Sequence, residues 1–476
     1  MGSFNKKASK SGGEMIIVFS HLFLYGIIGV ERGEFLVNEL RKIMGLDKDY
    51  KVIKVEEKKN GKAVAKYIYV ETIVKKYKCP KCGKYTKSIH DKLKPIVLKY
   101  VKAFEFLTYV VLIKRRFICH DCKYKFTEPV TIQRENKNIS NKVEQKVLID
   151  LKQYNLSLKY IAEINNISDN AVRNILKEYM ENYPKYVINL PEVISFDEFK
   201  ADTKEGKYAF ILNDPIHREA LDVLSNRKKE YLIQYFTYCE NRHSVKYVIS
   251  DMYEQYLLVT KIMFPKAKYV VDPFHYTRYI MDALDKVRIK LQDKYGYNSK
   301  EYRMLKNKKN VSLLRRYSNE IDWFTYTKRY KNKHMVEILK YDLRENLLDI
   351  DEELKVAYQL KELFLDITHH ATYEDVEKQL INWISLVREQ NVAEMNEVAN
   401  TIENWLEYIC NSFIDKRFSN GFTEGLNNKI KVIKRVGFGY KDFDFFRLRL
   451  LYILNNKNMK KLKKITFPKI LKKPKK

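Results

Sequence analysis

The sequence predicts a multidomain α+β protein: a metal-ligating N-terminal module, a trio of short helices, and a mixed sheet interrupted by a long helical insertion. Three observations carry that expectation. Cysteines recur as two Cys-x-x-Cys pairs, Cys79/Cys82 and Cys119/Cys122. The apolar period changes from alternating to helical at Asn141. From Pro191 three strand-like stretches follow one another, and then helices and strands alternate.

The totals bound the class. The chain has 476 residues, of which 45% are hydrophobic, enough for roughly three domains with sizeable cores. Lys and Arg number 90 against 60 Asp and Glu, a formal charge of +30. That excess implies a polyanionic partner, because phosphate neutralisation releases counterions. A Lys-rich compositional bias explains part of it, but not the deficit of acids. Six cysteines in a chain of this length do not make a disulfide scaffold, and their pairing points to a reducing compartment and to metal. The apolar run Met15–Val30 is interrupted by Ser20, His21 and Gly26 and is short for a membrane span. Lys6, Lys7 and Lys10 precede it as in a signal peptide, but no small-residue cleavage site follows. The expectation is a packed N-terminal segment, no membrane, and a cytoplasmic protein.

In chain order, residues 1–50 form an N-terminal extension leading into a helix around Glu34–Met44. Residues 51–135 form a zinc-binding module, with short strands at Val52–Val55 and Val64–Val74. Each Cys-x-x-Cys makes a tight knuckle offering two thiolates, and Cys79, Cys82, Cys119 and Cys122 together complete a tetrahedral four-thiolate site for one structural zinc ion. The long separation requires an inserted hairpin of strands between Ile96 and Phe117. A redox role fits two basic-flanked motifs poorly. His90 and His120 could replace a ligand but are read first as bystanders, and Lys114, Arg115 and Arg116 as either phosphate contacts or a solvated strand end. Residues 140–185 read as a helix-turn-helix, with Ser157 and Ser168 placed to cap two short helices after a first one. The second would be the recognition helix, presenting Asp169, Asn170, Arg173 and Asn174 to bases or phosphates.

Residues 190–275 supply strands at Val193–Phe199, Tyr208–Asn213, Glu219–Leu224, Val245–Ser250 and Ala267–Val271, with helices around Lys229–Cys239 and Met252–Phe264. That order is the one of an RNase H-like α/β core. Residues 276–410 show helical periodicity without strand signal and read as an all-helical insertion. Residues 411–456 return to the core with two helices, one from Glu424 and one over Phe438–Asn455, and 457–476 form a basic tail.

Asp197 lies near the end of the first strand, while Asp251 and Asp272 directly follow the fourth and fifth. Glu424 opens an amphipathic helix whose polar face continues with Asn428, Lys431 and Arg435, opposite Leu426, Ile430 and Ile433. Carboxylates gathered at strand ends suit magnesium, which takes hard oxygen ligands and keeps positions for water and phosphate. Asp197, Asp251 and Glu424 meet that need. Alternation points Glu198 to the opposite face, whereas spacing leaves Asp272 open as a rival to Asp251. An acid in a first helical turn is also what the macrodipole favours.

The knuckle pairs, the helix-turn-helix, Phe-Asp-Glu-Phe at 196–199, Asp-Pro-Phe-His at 272–275 and SNGFTEGLNNKIKVIKR at 419–435 occur in an order that resembles the ISL3 family of bacterial insertion-sequence transposases. The resemblance runs from about Asp47 to Asn456 and is most specific over Ser419–Leu451. It implies a DDE transposase with an RNase H-like catalytic core, in which Asp197, Asp251 and Glu424 hold two magnesium (or manganese) ions, with Asp272 and His275 in support. It further implies double-stranded DNA partners, namely terminal inverted repeats and target, and a homo-oligomer, at least a dimer on DNA, in the bacterial nucleoid. Asn170, Arg173, Asn174, Asn428, Lys431, Lys434 and Arg435 become the candidate DNA contacts. No Arg-rich constellation with a His ahead of a late Tyr exists for a tyrosine recombinase. The alternatives left open are a non-catalytic DNA-binding regulator or degenerate element product, and an RNA-processing nuclease on the same core.

Overall fold

The computed structural model describes residues 39–455, apart from 61–62, 104–105, 135–136, 203, 332–333, 420, 438–439 and 441. The apolar run at 15–30, the first five residues of the first expected helix (34–38) and the basic tail lie outside the described residues; 39–43 are helical. The chain divides into two compact units, one ending at Leu176 and one beginning at Lys177.

The first unit opens with a long hairpin, β1 (Tyr50–Asn60) and β2 (Ala63–Thr72), bulged between Val52 and Lys54. Short strands follow: β3 (Tyr77–Lys78), β4 (Tyr85–Thr86), β5 (Ile89–Lys92), β6 (Ile96–Lys99), β7 (Leu107–Ile113), β8 (Arg115–Ile118) and β9 (Lys125–Thr127). The segment between the knuckles does form a hairpin, β6–β7, but it also completes a larger sheet. Strand β7 pairs parallel with β2, giving the order β1-β2-β7-β6. This sheet has its own core of Val52, Ile68, Val70, Leu98, Val110 and Leu112. The knuckles sit instead on β3–β4 and on the three-stranded sheet β5-β8-β9.

Three helices follow: α1 (Asn141–Leu151), α2 (Leu158–Ile164) and α3 (Asp169–Tyr179). The Oγ atoms of Ser140, Ser157 and Ser168 accept from the amides of Val143, Tyr160 and Ala171, satisfying N–H groups with no partner inside the helix. Between α2 and α3, Asn166 takes φ +53°, a conformation Asn tolerates better than most residues. Asn165 is buried and donates to Asp150 Oδ2 at 2.8 Å.

In the second unit a five-stranded sheet has the order β12-β11-β10-β13-β14. Its strands are β10 (Val193–Lys200), β11 (Tyr208–Asp214), β12 (Glu219–Leu224), β13 (Tyr247–Ser250) and β14 (Lys268–Val271). The first three pair antiparallel and the last two add parallel. Helices α4 (Lys229–Phe236) and α5 (Glu254–Met263) make the crossovers. Their face of the sheet buries Phe196, Phe210, Phe236, Tyr256 and Phe264. The other face buries Phe199, Ala209, Ile211 and Val223 beneath the two last helices.

The long middle segment is mostly helical: α6 (Pro273–Tyr295), α7 (Lys300–Lys306), α8 (Lys308–Arg315), α9 (Lys340–Leu348), α10 (Glu352–His370), α11 (Val376–Gln390), α12 (Ala393–Asn404) and α13 (Leu406–Cys410). It is not all-helical as expected, because β15 (Tyr326–Lys331) and β16 (His334–Leu339) form an antiparallel hairpin between α8 and α9. The stretch is rich in aromatic and β-branched residues (Tyr326, Thr327, Tyr330, Val336, Ile338), which favour strand over helix. The chain returns through α14 (Gly421–Val436) and α15 (Phe443–Leu454). Helix α15 starts later than its apolar pattern suggested, where the Asp442 carboxylate caps the amide of Phe445 at 3.0 Å. No helix among the described residues is long and apolar enough to cross a membrane.

Candidate active site and metal centre

The two knuckles repeat one backbone design. Cys79 N–H donates to Lys84 O at 2.8 Å and Gly83 N–H to Cys79 O at 2.9 Å. Cys119 N–H donates to Tyr124 O at 2.9 Å and Lys123 N–H to Cys119 O at 3.0 Å. The residue after each second cysteine is left-handed, Gly83 at φ +77° and Lys123 at φ +56°. Cys79 Sγ stands 3.6 Å from Cys122 Sγ, and Cys82 Sγ 3.5 Å from Cys119 Sγ. All four sulfurs lie within 4.8 Å of one another. These separations are too long for disulfides, whose sulfurs lie about 2.05 Å apart. They are close to the edge of a tetrahedron with zinc–sulfur bonds of about 2.3 Å. The thiols shift in opposite directions. Cys79 comes down to about 7, its burial outweighed by the amides of Cys82 and Lys81 and by neighbouring thiols. Cys82, despite the amide of Lys84, is pushed up to about 12 by burial and the three other sulfurs. A divalent cation would favour ionisation of all four. His120 is engaged by Ser88 Oγ, and His90 is exposed.

Lys123 holds the left-handed position that glycine holds in the first knuckle. Lys123→Gly is expected to stabilise the module by about 0.5 kcal/mol, the relief of left-handed strain less the greater entropy loss of glycine. A thermal melt of the zinc-loaded protein checks the sign. Arg115 is neither a phosphate contact nor a solvated strand end. Its guanidinium lies 2.7 Å from the buried Glu128 carboxylate and donates to Val74 O at 2.8 Å.

In the second unit, strand pairing gathers acids. Ser195 pairs with Ile249, and Ser250 with Val271, so Asp197, within β10, comes level with Asp251 and Asp272, which directly follow β13 and β14. Phe196, Val248 and Val271 face the α4–α5 core, and by alternation the three aspartates belong to the opposite face. Burial raises the Asp197 carboxyl to about 7; the amide of Glu198 opposes this, while the charges of Asp251, Glu198 and Asp272 reinforce it. Burial also raises Asp251, as does the charge of Glu198, with His275 and Ser250 opposing. The carboxylates are more widely spaced than the sulfurs: among the described residues, only the cysteines bring three or more such ligand atoms within 4.8 Å. Asp272 is 4% exposed, with His275 Nε2 at 3.9 Å from its Oδ2.

Helix α14 packs over β10, β11 and β12, on the face to which Asp197 belongs. Leu426, Ile430 and Ile433 pack on the sheet, while Asn427 Nδ2 donates to Asp197 Oδ2 at 2.8 Å. Glu424 is exposed, three residues before Asn427 and therefore on the same side of the helix. Asn428, Lys431 and Arg435 are exposed on α14, as are Asn170 and Asn174 on α3, whereas Arg173 is half-buried. Lys434 is occupied within the fold, at 2.9 Å from Lys200 O and 3.1 Å from Asp202 Oδ2.

Sequence reasoning passed over Asn427, whose signal was its spacing of three from Glu424. It also missed the group behind Glu198. That carboxylate turns to the α5 face, as alternation required, and is held there by the Arg227 guanidinium and by Tyr256 Oη at 2.8 Å. Arg227 itself lies 4.4 Å and 4.8 Å from the ring centroids of Tyr208 and Tyr253.

Comparison with known proteins agrees with this geometry. Residues 194–450, just over half of the chain, match the family model of the ISL3 DDE domain, described as "Transposase". Residues 75–122 match one described as "zinc-finger of transposase IS204/IS1001/IS1096/IS1165". Over 389 residues the chain is 22% identical to the transposase for insertion sequence element IS1001 of Bordetella parapertussis, covering 80% of this chain and 90% of that protein. It is also 32% identical over 122 residues to a protein of Lactococcus lactis subsp. lactis named ATP-dependent protease, covering 26% of this chain and 37% of that one. A zinc-ribbon-like cysteine centre and a mixed sheet edged with acids, matched in this way, define an insertion-sequence transposase. Within that class the chain belongs to the ISL3 family.

Proposed function

We propose that the chain is a catalytically active DDE transposase that cuts DNA at the terminal inverted repeats of its element and joins the resulting 3′-hydroxyl to target DNA. The single observation that carries this reading is the alignment of Asp197, within β10, with Asp251 and Asp272 at the ends of the two neighbouring strands, with mutual repulsion that helps to raise Asp197 to about 7. Carboxylates that share one face of a sheet and feel one another's charge, in a chain of charge +30, form a donor set of the hard-oxygen kind that divalent cations take. The strand order, three antiparallel and two parallel additions, supports the RNase H-like reading.

Asp197, Asp251 and Glu424 would hold two magnesium or manganese ions. Such ions supply activation of a nucleophilic oxygen and stabilisation of the leaving oxygen in phosphodiester chemistry. Asp251 is favoured over Asp272 as second acid because β13 pairs directly with β10 and β14 lies one strand further out. Asp272, with His275, supports from behind. Asn427 orients the Asp197 carboxylate, and the exposed Asn428, Lys431 and Arg435 meet the phosphates of the bound end. Helix α3 would read the repeat as the second helix of a helix-turn-helix, through Asn170, Arg173 and Asn174. Two ends must be joined, so the working form on DNA is at least a dimer.

The test uses a labelled duplex of the repeat flanking the gene, incubated with protein and magnesium. Wild type is expected to nick at the 3′ end, and Glu424→Gln to bind the duplex within about threefold of wild type yet lose at least about a thousandfold in rate, the scale of removing an essential catalytic group. Equal absence of nicking in both proteins, with binding intact, would sink the enzyme reading in favour of a DNA-binding regulator.

A further inference from the structure

Helix α14 meets the sheet along two unlike stripes. Leu426, Ile430 and Ile433 are buried against Phe199, Ile211 and Val223. That contact is non-directional: it sets which face of the helix meets the sheet, and the fine position along the axis needs more directional groups. Beside it runs a polar line. Thr423 Oγ1 accepts from Asn213 Nδ2 at 3.1 Å and lies 3.4 Å from Ser195 Oγ. One turn later Asn427 Nδ2 donates to Asp197 Oδ2 at 2.8 Å. Ser195 and Asn213 are register partners on β10 and β11, and Ser195, Asn213 and Thr423 are each 0% exposed.

The spacings match. Four helical residues rise about 6 Å, and two strand residues advance about 6.7 Å. Thr423 and Asn427 therefore engage Ser195 and Asp197 as two teeth engage two notches. A slip of the helix by one residue would rotate it by about 100°, turning Leu426, Ile430 and Ile433 away from the sheet and leaving these polar groups buried without partners, a penalty added to that of the apolar seam. Buried polar groups that fix register in this way are well attested in helical assemblies. Glu424 stands between the two teeth.

We propose that Thr423 and Asn427 are positioning residues, whose hydrogen bonds to Ser195, Asn213 and Asp197 fix the register of the Glu424 helix on the Asp197 strand. The inference rests on the reading of Asp197 and Glu424 as catalytic acids and adds how their separation is held.

Thr423→Val keeps the shape and removes the hydroxyl, whereas Thr423→Ser keeps the hydroxyl. Thr423→Val is expected to melt within a few degrees of wild type and to bind the repeat duplex within about twofold. Its single-turnover nicking rate should fall about 10- to 100-fold, and the Mn²⁺ concentration giving half-maximal nicking should rise about tenfold. Thr423→Ser should restore both values to within about threefold. Asn427→Ala, at the rim where truncation leaves the core intact, carries the same expectation should Thr423→Val fail to fold. Wild-type rate and Mn²⁺ midpoint in the folded variants, or no rescue by serine, would overturn the proposal. Glu424→Gln separates the two levels. If it nicks like wild type, the catalytic reading itself fails; if it is inactive while Thr423→Val is unimpaired, only the register proposal fails.

Discussion

Cys119→Ser is expected to leave the purified protein with well under one zinc per chain and to unfold the strands that carry the knuckles. Structural zinc contributes on the order of 10 kcal/mol or more to small metal-organised folds. Around this centre there is little else to hold the backbone. Strands β3 and β4 are two residues each, and β5 is exposed throughout. Phe117, with Tyr77 and Phe126 against it, is the main aromatic filling. The sheet β1-β2-β7-β6 has a separate core, so the loss should stop there. Metal analysis reads the first outcome. Amide exchange reads the second: protection lost over 77–92 and 115–127, and retained in β1, β2 and β7. Unchanged protection in a zinc-free variant would mean that the cysteines are not structural ligands.

The parts of this fold that were legible in the sequence are those with local causes. The knuckles announce themselves because two thiolates on a tight turn need a fixed spacing. Asp251 and Asp272 were legible as carboxylates at strand ends because the apolar runs Tyr247–Ser250 and Lys268–Val271 stop just before them. The buried stripe of α14 follows from helical period alone. What escaped depends on pairing across distance. No local pattern says that β7 joins β2 in parallel, because both strands alternate in the same way. Glu198 could be assigned to the opposite face, but Arg227 and Tyr256, which receive it there, come from other elements. Lys434 looked like a phosphate contact on a basic helix until Asp202, from the loop after β10, met it at 3.1 Å. Arg115 was ambiguous for the same reason, since Glu128 lies on another segment.

Asp197→Asn is expected to abolish nicking and, in the absence of divalent ions, to make the protein more stable at pH 8 than wild type. The carboxyl rises on folding from 3.8 to about 7 through burial, with Asp251, Glu198 and Asp272 adding to it. An acid whose folded pKa lies above its unfolded one destabilises the fold as pH rises between the two values. The penalty is absent below the unfolded value, grows from about pH 4 to pH 7, and is complete above that window. Asparagine carries no such charge, so the two proteins should converge near pH 4 and diverge toward pH 8. Divalent cations reverse the sign, because a bound ion favours the ionised carboxylate and releases its proton. Mn²⁺ should therefore raise the melting temperature of wild type by roughly 5 °C at pH 8, where one or two kcal/mol corresponds to that shift in a unit of this size. The gain should shrink at pH 5.5 and vanish in Asp197→Asn. Melting curves with and without Mn²⁺ at the two pH values decide the matter. An equal Mn²⁺ gain in wild type and variant would place the cation away from Asp197, and the acidic edge of the sheet would then be a feature of packing rather than of catalysis.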